Sequence, residues 1–540
     1  MKKFNLFIFI LLAFTVKICA QRNTILIIAD DLSPDYFGFY PNHGDTVDVP
    51  NLRKLKENGI LFTKLSSNPV CSSTRAGILT GRYSFRTGVG GIVGGVGGSN
   101  QIDTAEISIP KLLKKHNPDI AKANIGKWHL KQPMPAVNLT SPLALGYDWS
   151  EGPFIGQLPS FTNWQKYTNG VLSNVTTYAT TENVNNTITW LKAQNKAKPF
   201  FIWLAFNAPH DPLHLPPADL HKFTNLTGTT TDIRDKPKEY FKAMIQAMDR
   251  EMGRLFDSLK VMNKLDSTEI IFIGDNGNST RTAQIADQNK AKGTVYEYGV
   301  NVPMIISGPT VVNKGRISDA LVNTADLFAT IVENFGYTNW QTQIPSNKPV
   351  DSKSLLPIIK NQSDSIRPWA FSEIFKLTTD SADGKSIRDL QYKLIRFDYG
   401  VEEFYDLIAD PLENKNLLSG KLNAIEIDRY NYLCNEMSKL VGSFTCKKLV
   451  QVKNSIPTDI NIFELVPNPS NSNVTINFSR ESGEKYSLKI FDNLGRIISH
   501  QIHLSLGKDI VIDVSQYDKG IYLINVSDGK ITQTKKLVKH

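Results

Sequence analysis

Four short apolar runs constrain this chain more than any other feature: residues 24–29 (TILIIA), 200–206 (FFIWLAF), 269–273 (EIIFI) and 302–307 (VPMIIS). Each is apolar at nearly every position and rich in β-branched or aromatic side chains. Such runs are buried on both faces, as strands of a parallel or mixed sheet are when helices cover it. Helical patterns lie between them. One spans residues 51–58; another spans residues 241–261 and sets Met244, Met248, Met252, Leu255 and Leu259 on one stripe. Strands alternating with helices predict a layered α/β domain. Ligands of such folds bind beyond the carboxyl ends of the strands, so polar residues there are the first candidates for function.

At 540 residues the chain exceeds one ordinary domain, and its texture changes twice. Past about residue 370, segments 391–397 (QYKLIRF) and 403–407 (EFYDL) read as short strands of an antiparallel sheet, with a turn at Asp410-Pro411. From about residue 459, segments 474–478, 486–491, 510–514 and 521–526 are separated by turn residues, which predicts a small all-β module. Mature-chain boundaries are therefore placed at 21–370, 371–455 and 459–540. The stretch 88–98 (GVGGIVGGVGG) lacks the GK[ST] ending and the GxGxxG spacing of phosphate loops, and reads as a flexible loop.

The first twenty residues look like an export signal. Lys2 and Lys3 precede an apolar core at residues 5–16 (NLFIFILLAFTV), and Ala20 offers a cleavage site. Cys19 raises the alternative of a lipoprotein signal, but Lys17 stands where such signals prefer small residues. No later segment is long and apolar enough to span a bilayer. Once Cys19 is removed, Cys434 and Cys446 remain as a pair that an exported protein could bridge, and no cysteine–histidine spacing suggests zinc. The net charge of +9 is scattered, with no basic block interleaved with aromatics, which argues against nucleic acid. It is compatible with a polyanionic partner.

Asp30 and Asp31 directly follow the first apolar run, and Asp275-Asn276 follows the third in the same way. Either pair alone would more often cap a helix; together at equivalent strand ends they suit an oxygen-only site for calcium, or with less support magnesium. Cys71-Ser72-Ser73-Thr74-Arg75 precedes a short helical stretch closed by Gly81. Cys71 thus falls at a helix N-terminus, where free backbone N–H groups stabilise an anion.

That string, with Thr80-Gly81-Arg82 after it, resembles the sulfatase signature. The resemblance runs over roughly residues 22–420, through Asp30-Asp31, Gly126-Lys127-Trp128-His129-Leu130, Ala208-Pro209-His210-Asp211-Pro212, Asp275-Asn276-Gly277 and Lys292-Gly293-Thr294 with Tyr296-Glu297. Phe404-Tyr405-Asp406-Leu407, then Asp410-Pro411 and Glu413-Asn414, is similar to the family's C-terminal subdomain. The resemblance implies an alkaline-phosphatase-like α/β fold with a smaller antiparallel-sheet subdomain, and a formylglycine made from Cys71 by a converting enzyme. It implies calcium (Ca2+) bound by Asp30, Asp31, Cys71 in its modified form, Asp275 and Asn276. Arg75, Lys127, His129, His210 and Lys292 would surround the sulfate and its ester oxygen. His129 is the candidate base that releases sulfate from the modified residue, and His210 with Lys292 the candidate donor to the departing alcohol.

Three positions depart from the family's pattern. Ser73 stands where proline is most common, which bears on maturation by the converting enzyme. Tyr298 replaces a usual glycine and Asn301 a usual arginine, and both are expected to shape the substrate pocket. His214, four residues beyond His210, reads as a surface loop histidine.

The terminal module resembles a type IX secretion sorting domain, through Val466-Pro467-Asn468-Pro469-Ser470, Leu494-Gly495-Arg496 and Lys519-Gly520-Ile521-Tyr522. A carbohydrate-binding module is the runner-up there. The expectation is a secreted or cell-surface sulfatase acting on sulfated polysaccharides or oligosaccharides, algal ones such as ulvan included. The alternatives are a formylglycine-type phosphodiesterase or phosphonate hydrolase, and a catalytically silent surface binding protein.

Overall fold

The computed structural model describes residues 22–195, 197–442, 444–447, 449, 463–478, 486–493, 495–503, 509–527 and 532–540. The export signal and the start of the third module at residue 459 lie outside the described residues. The chain divides into two compact units, Met1–Leu449 and Val450–His540.

The first unit is built on a ten-stranded mixed sheet. Its spatial order is Arg316–Ser318, Gly59–Phe62, Met304–Ser307, Thr268–Gly274, Asn23–Ala29, Phe200–Ala205, Ala121–Gly126, Trp149–Gly152, Trp164–Thr168 and Val171–Val175. The five strands from Thr268–Gly274 to Trp149–Gly152 run parallel. The apolar runs behave as doubly buried strands should. Ile25 and Ile27 enter one core while Leu26 and Ile28 enter the core on the other face; Ile202 and Leu204 oppose Phe201 and Trp203 in the same way. Each such side chain contributes about 1.5–3 kcal/mol of apolar burial. The helix Pro237–Val261 lays its stripe of Met244, Met248, Met252, Leu255 and Leu259, all fully buried, on the first of these cores.

Several strands were not anticipated. Ala121–Gly126 (AKANIG) carries Lys122 and Asn124, yet both are buried: Lys122 pairs with Asp148 at 2.8 Å, and Asn124 donates to Ser150 Oγ at 3.2 Å. A strand that buries polar side chains leaves no apolar run to read. The stretch 88–98 is a loop, with Val89 and Val93 buried in the second core and Val96 exposed.

Ala370–Ile374, Gly384–Arg388, Tyr392–Phe397 and Glu402–Asp406 form a separate antiparallel sheet. The helix Ala424–Val441 packs on it, started by a capping box between Asn423 and Glu426. A disulfide joins Cys434 of that helix to Cys446. In the second unit two antiparallel sheets enclose Val474, Ile476, Leu488, Ile490, Ile524 and Val526. Three of its strands, Phe463–Val466, Ile497–His503 and Thr532–Lys539, go beyond the four read from the sequence. Among the described residues no helix is long and apolar enough to cross a membrane.

Candidate functional site

The carboxyl ends of four adjacent parallel strands converge on one edge of the sheet. Ladder hydrogen bonds continue past the strands: the Asp30 N–H donates to Ala208 O at 3.1 Å, Asp275 N–H to Ala29 O at 3.0 Å and Lys127 N–H to Ala205 O at 2.8 Å. Asp30-Asp31, Asp275-Asn276, Lys127-Trp128-His129 and the loop to His210 therefore leave the sheet side by side. Gly126 makes the sharp exit before Lys127. Its φ is +92°, and a Cβ there would sit 1.9 Å from Ala205 O. Asp31 (φ 62°) and His129 (φ 54°) are held in the left-handed region without being glycine. That conformation costs about 1–3 kcal/mol per residue and is tolerated only where the surroundings enforce it.

Cys71 opens the helix Cys71–Thr80, which ends at Gly81 in the left-handed region (φ 70°). The whole helix is buried, Cys71 included. Ser73 donates its hydroxyl to Val70 O at 2.9 Å, so the residue found in place of proline holds the turn that precedes the helix. The Cys71 sulfur lies 3.1 Å from Nδ1 of His129. His129 Nε2 lies 3.1 Å from the carbonyl of Val93, which only an N–H can satisfy. This places the ring proton on Nε2 and leaves Nδ1 as the acceptor facing Cys71. Ser72 completes the arrangement by donating to His129 O at 2.8 Å and accepting from Val93 N at 3.1 Å. Ser72 and Val93 are the residues that sequence reasoning missed. Their part depends on the glycine-rich loop folding back over the site, which no local motif announces.

The charges are packed tightly. Arg75, fully buried, donates from Nε and Nη2 to Asp275 Oδ2 at 3.1 and 2.9 Å and from Nη1 to Lys127 O at 2.9 Å. Lys127 Nζ bonds Asp30 Oδ2. Lys292 Nζ reaches Asp31 Oδ1 at 2.6 Å and Oδ2 at 2.8 Å. His210 Nε2 is 3.6 Å from Asp31 Oδ2, while its Nδ1 faces the Asp211 carbonyl at 2.8 Å. Burial alone would raise the carboxyl groups. For Asp30 this is outweighed by Lys127, His210 and Arg75, and for Asp31 by Lys292 and His210, so both are held below the usual carboxylate range. Asp275 is raised by burial and by the neighbouring Asp30 charge. Burial, then Lys127 and Arg75, push His129 well below its ordinary value and keep it neutral. The Cys71 thiol is raised by burial and stays protonated.

The donor set fits a hard cation. Ligand atoms of Asp30, Cys71 and Asp275 lie within 4.8 Å of one another, as do those of Asp30, Asp31 and His210. Asp30 Oδ1 and Asn276 Oδ1 are buried with no hydrogen-bond partner among the described residues. Carboxylate and amide oxygens left open in this way are ligands for calcium or magnesium rather than for a soft metal.

Other candidates fall elsewhere. Tyr298 donates to Asp35 Oδ2 at 2.7 Å and accepts from Gln284 N and Asn278 Nδ2, which braces the loop after Asn276. Asn301 Nδ2 donates to Thr63 O and Glu297 Oε1, each at 3.3 Å. His214 is no free surface histidine: it lies 4.2 Å from the Phe161 ring centroid, Nε2 is 3.1 Å from the Tyr178 hydroxyl, and burial pushes it down to about 4.

Comparison with known proteins agrees with this geometry. The family model described as Sulfatase matches residues 22–337, more than half of the chain. The model described as N-sulphoglucosamine sulphohydrolase, C-terminal, matches residues 290–439, and that of the secretion system C-terminal sorting domain matches 464–540. N-acetylgalactosamine-6-sulfatase of Homo sapiens is 27% identical over 375 residues, covering 62% of this chain and 65% of the relative. Arylsulfatase of Klebsiella aerogenes is 23% identical over 446 residues, covering 64% and 92%. The chain thus spans just under two thirds of the length of the human relative. The solved structure of Ps i-CgsB in complex with k-i-k-neocarrahexaose superposes with a TM-score of 0.65 at 26% identity, covering 78% of this chain and 92% of that one. BT4656 with D-glucosamine-2-N,6-O-disulfate shares the fold, with a TM-score of 0.61 at 20% identity over 80% of this chain and 100% of that one.

Proposed function

Because this chain belongs to the sulfatase family, we propose that it hydrolyses sulfate esters of sulfated polysaccharides or oligosaccharides at the edge where Cys71, Asp30 and Asp275 meet. The observation that carries this reading is the buried Cys71 side chain, within 4.8 Å of two carboxylates and 3.1 Å from the accepting nitrogen of a neutral histidine. Unmodified, such a thiol is a poor nucleophile: burial keeps it protonated. Conversion of Cys71 to formylglycine would supply a hydrated aldehyde at that position, a nucleophile the thiol does not provide. Calcium held by Asp30, Asp31, Asp275, Asn276 and the modified residue would supply Lewis-acid polarisation of the sulfate oxygens.

The chain's own residues then divide the remaining work. Lys127 and Lys292 bring positive charge against the carboxylates and, with Arg75, set a fixed potential for a sulfate monoester in a water-poor site. Arg75 also fixes Asp275 through two hydrogen bonds. His129 Nδ1, left open by the Val93 contact, is placed to take a proton from the group at position 71. His210 and Lys292 both lie against Asp31 and are the donors for the departing alcohol oxygen.

The second unit is a secretion sorting domain, and the protein is secreted or displayed at the cell surface. Surface export, together with the carbohydrate bound in the 26% identical structure, supports a sulfated sugar polymer or its fragments as substrate. The test is hydrolysis of matched sulfate and phosphate esters by purified protein. Faster release of sulfate is expected. Preferential cleavage of phosphodiesters or phosphonates would replace this reading with that of a phosphodiesterase or phosphonate hydrolase, and inertness toward all of them would leave a binding protein.

A further inference from the structure

The segment 290–297 carries Lys292 to Asp31, and Glu413 of the C-terminal subdomain contacts it at both ends, while Glu403 accepts from the Tyr296 hydroxyl at 2.7 Å. Glu413 lies in the turn after Glu402–Asp406, is 1% exposed, and is held in the left-handed region at φ 57°. Its carboxylate Oε2 accepts the Glu297 N–H at 2.5 Å, and its Oε1 lies 3.0 Å from Lys393 Nζ. Its backbone carbonyl accepts from Lys290 Nζ, whose ammonium also lies over the Tyr296 ring at 5.2 Å. Glu413 therefore grips the segment at both ends, at Lys290 and at Glu297. Between those grips, Lys292 N–H donates to Asn278 O at 3.0 Å and Gly293 N–H to Pro69 O at 2.9 Å, two residues before Cys71. Burying a second carboxylate beside Glu297 would be costly without partners. Arg388, which bonds Glu297 Oε1, and Lys393, 3.3 Å from Glu297 Oε2, supply them.

We propose that Glu413 is a positioning residue for Lys292: the subdomain sets the height of the Lys292 ammonium above Asp31, and with it proton delivery to the leaving alcohol. The proposal rests on the sulfatase reading and assigns a task to the Asp410-Pro411…Glu413-Asn414 turn that the chemistry of the site leaves unexplained. A clamp of this kind acts through geometry, since a displacement of about 1 Å at a donor costs on the order of a hundredfold in rate.

The experiment compares wild type, Glu413→Ala, Lys292→Ala and the double variant on two esters. The nitrophenolate of 4-nitrophenyl sulfate departs without a proton, whereas the alcohol of phenyl sulfate depends on one. Glu413→Ala removes the acceptor for Glu297 N–H and the carboxylate beside Lys393, and its fold is checked by circular dichroism. The expected result is a loss of about a hundredfold in kcat on phenyl sulfate, with KM and 4-nitrophenyl sulfate turnover within about threefold of wild type. The double variant should be no slower than Lys292→Ala alone. Equal losses on both esters, or losses that multiply in the double variant, would overturn the clamp. Should Glu413→Ala fail to fold, Lys290→Met removes the second grip from a half-buried position and must show the same split between esters. A wild type inert toward both esters overturns the sulfatase reading itself, and the clamp with it; an active wild type with unselective variants overturns the clamp alone.

Discussion

Cys71 and His129 face each other across 3.1 Å, sulfur to Nδ1, although fifty-eight positions separate them in the chain. The contact exists because a helix N-terminus and the exit of a parallel strand meet at one edge, because the Val93 carbonyl fixes the imidazole tautomer, and because Ser72 ties the His129 carbonyl to the Val93 N–H. The account of function therefore depends on one side chain and on the groups that orient its neighbour.

Replacing Cys71 by alanine removes the nucleophile's precursor and one sulfur atom from a buried site. Turnover of sulfate esters should fall to background while the fold persists. The destabilisation should be about 1–2 kcal/mol, the cost of a small buried cavity. Steady-state assay and chemical denaturation check both halves; retained hydrolysis would show that position 71 is not the reacting one.

Three carboxylates crowd the strand ends, two of them kept ionised by buried cations. Calcium should raise Tm by several degrees in a concentration-dependent way, following its preference for the folded state. Asp275→Asn should weaken that rise and the activity together. Thermal melts at graded calcium, and activity after EGTA treatment and calcium return, provide the measurement. A melting temperature insensitive to calcium would argue against the site.

Gly126→Ala forces a Cβ to within 1.9 Å of Ala205 O at a φ of +92°. The variant should lose about 2–4 kcal/mol of stability, or shift the strand end and carry Lys127 away from Asp30. Denaturation midpoints with kcat/KM on the same preparation distinguish these outcomes. An unaffected enzyme would mean that the exit is less tight than described.

These cases also show what was legible from residues alone. Asp30-Asp31 and Asp275-Asn276 could be paired because both follow doubly buried apolar runs, and strands of that kind end on a common edge. Cys71 at a helix start was legible from the short helical stretch closed by Gly81. The strand Ala121–Gly126, which delivers Lys127, was hidden by Lys122 and Asn124, polar side chains that the fold nonetheless buries. Ser72 and Val93 were equally hidden: their effect comes from contacts between segments distant in sequence, and nothing in their immediate neighbours records it; Glu413 was visible within a family-like turn, but its contacts with Lys290 and Glu297 were not. In the second unit, Thr532–Lys539 alternates polar and basic residues with few apolar ones, so its place as a strand follows from pairing with Gly520–Ser527.

Glu373 provides a pH test away from the reacting groups. Burial pushes its carboxyl up to about 7, with Oε1 accepting the Phe85 N–H at 2.8 Å and Oε2 lacking a partner among the described residues. The folded protein thus holds this proton after the unfolded chain has released it. The contribution to stability is full below the ordinary glutamate range and is lost as pH rises through about 7. Glu373→Gln keeps the acceptor and cannot ionise. It should therefore be more stable than wild type at pH 8, by about 3 kcal/mol, and little different near pH 4. Urea titrations at the two pH values decide; parallel pH profiles would place the ionisation elsewhere.

Removal of residues 450–540 should leave ester hydrolysis intact, since the strands, helix and loops of the site all belong to the first unit. Export should stop, because the sorting domain goes with the deletion. Activity of the purified truncated enzyme, and its distribution between cells and medium, test the two statements separately.

The most direct measurement is mass spectrometry of the peptide containing Cys71, taken from protein exported by its native host. The account predicts an aldehyde, or its hydrate, at position 71 in the active fraction, formed despite Ser73 at the place where proline is usual. A thiol at that position in fully active protein would contradict it.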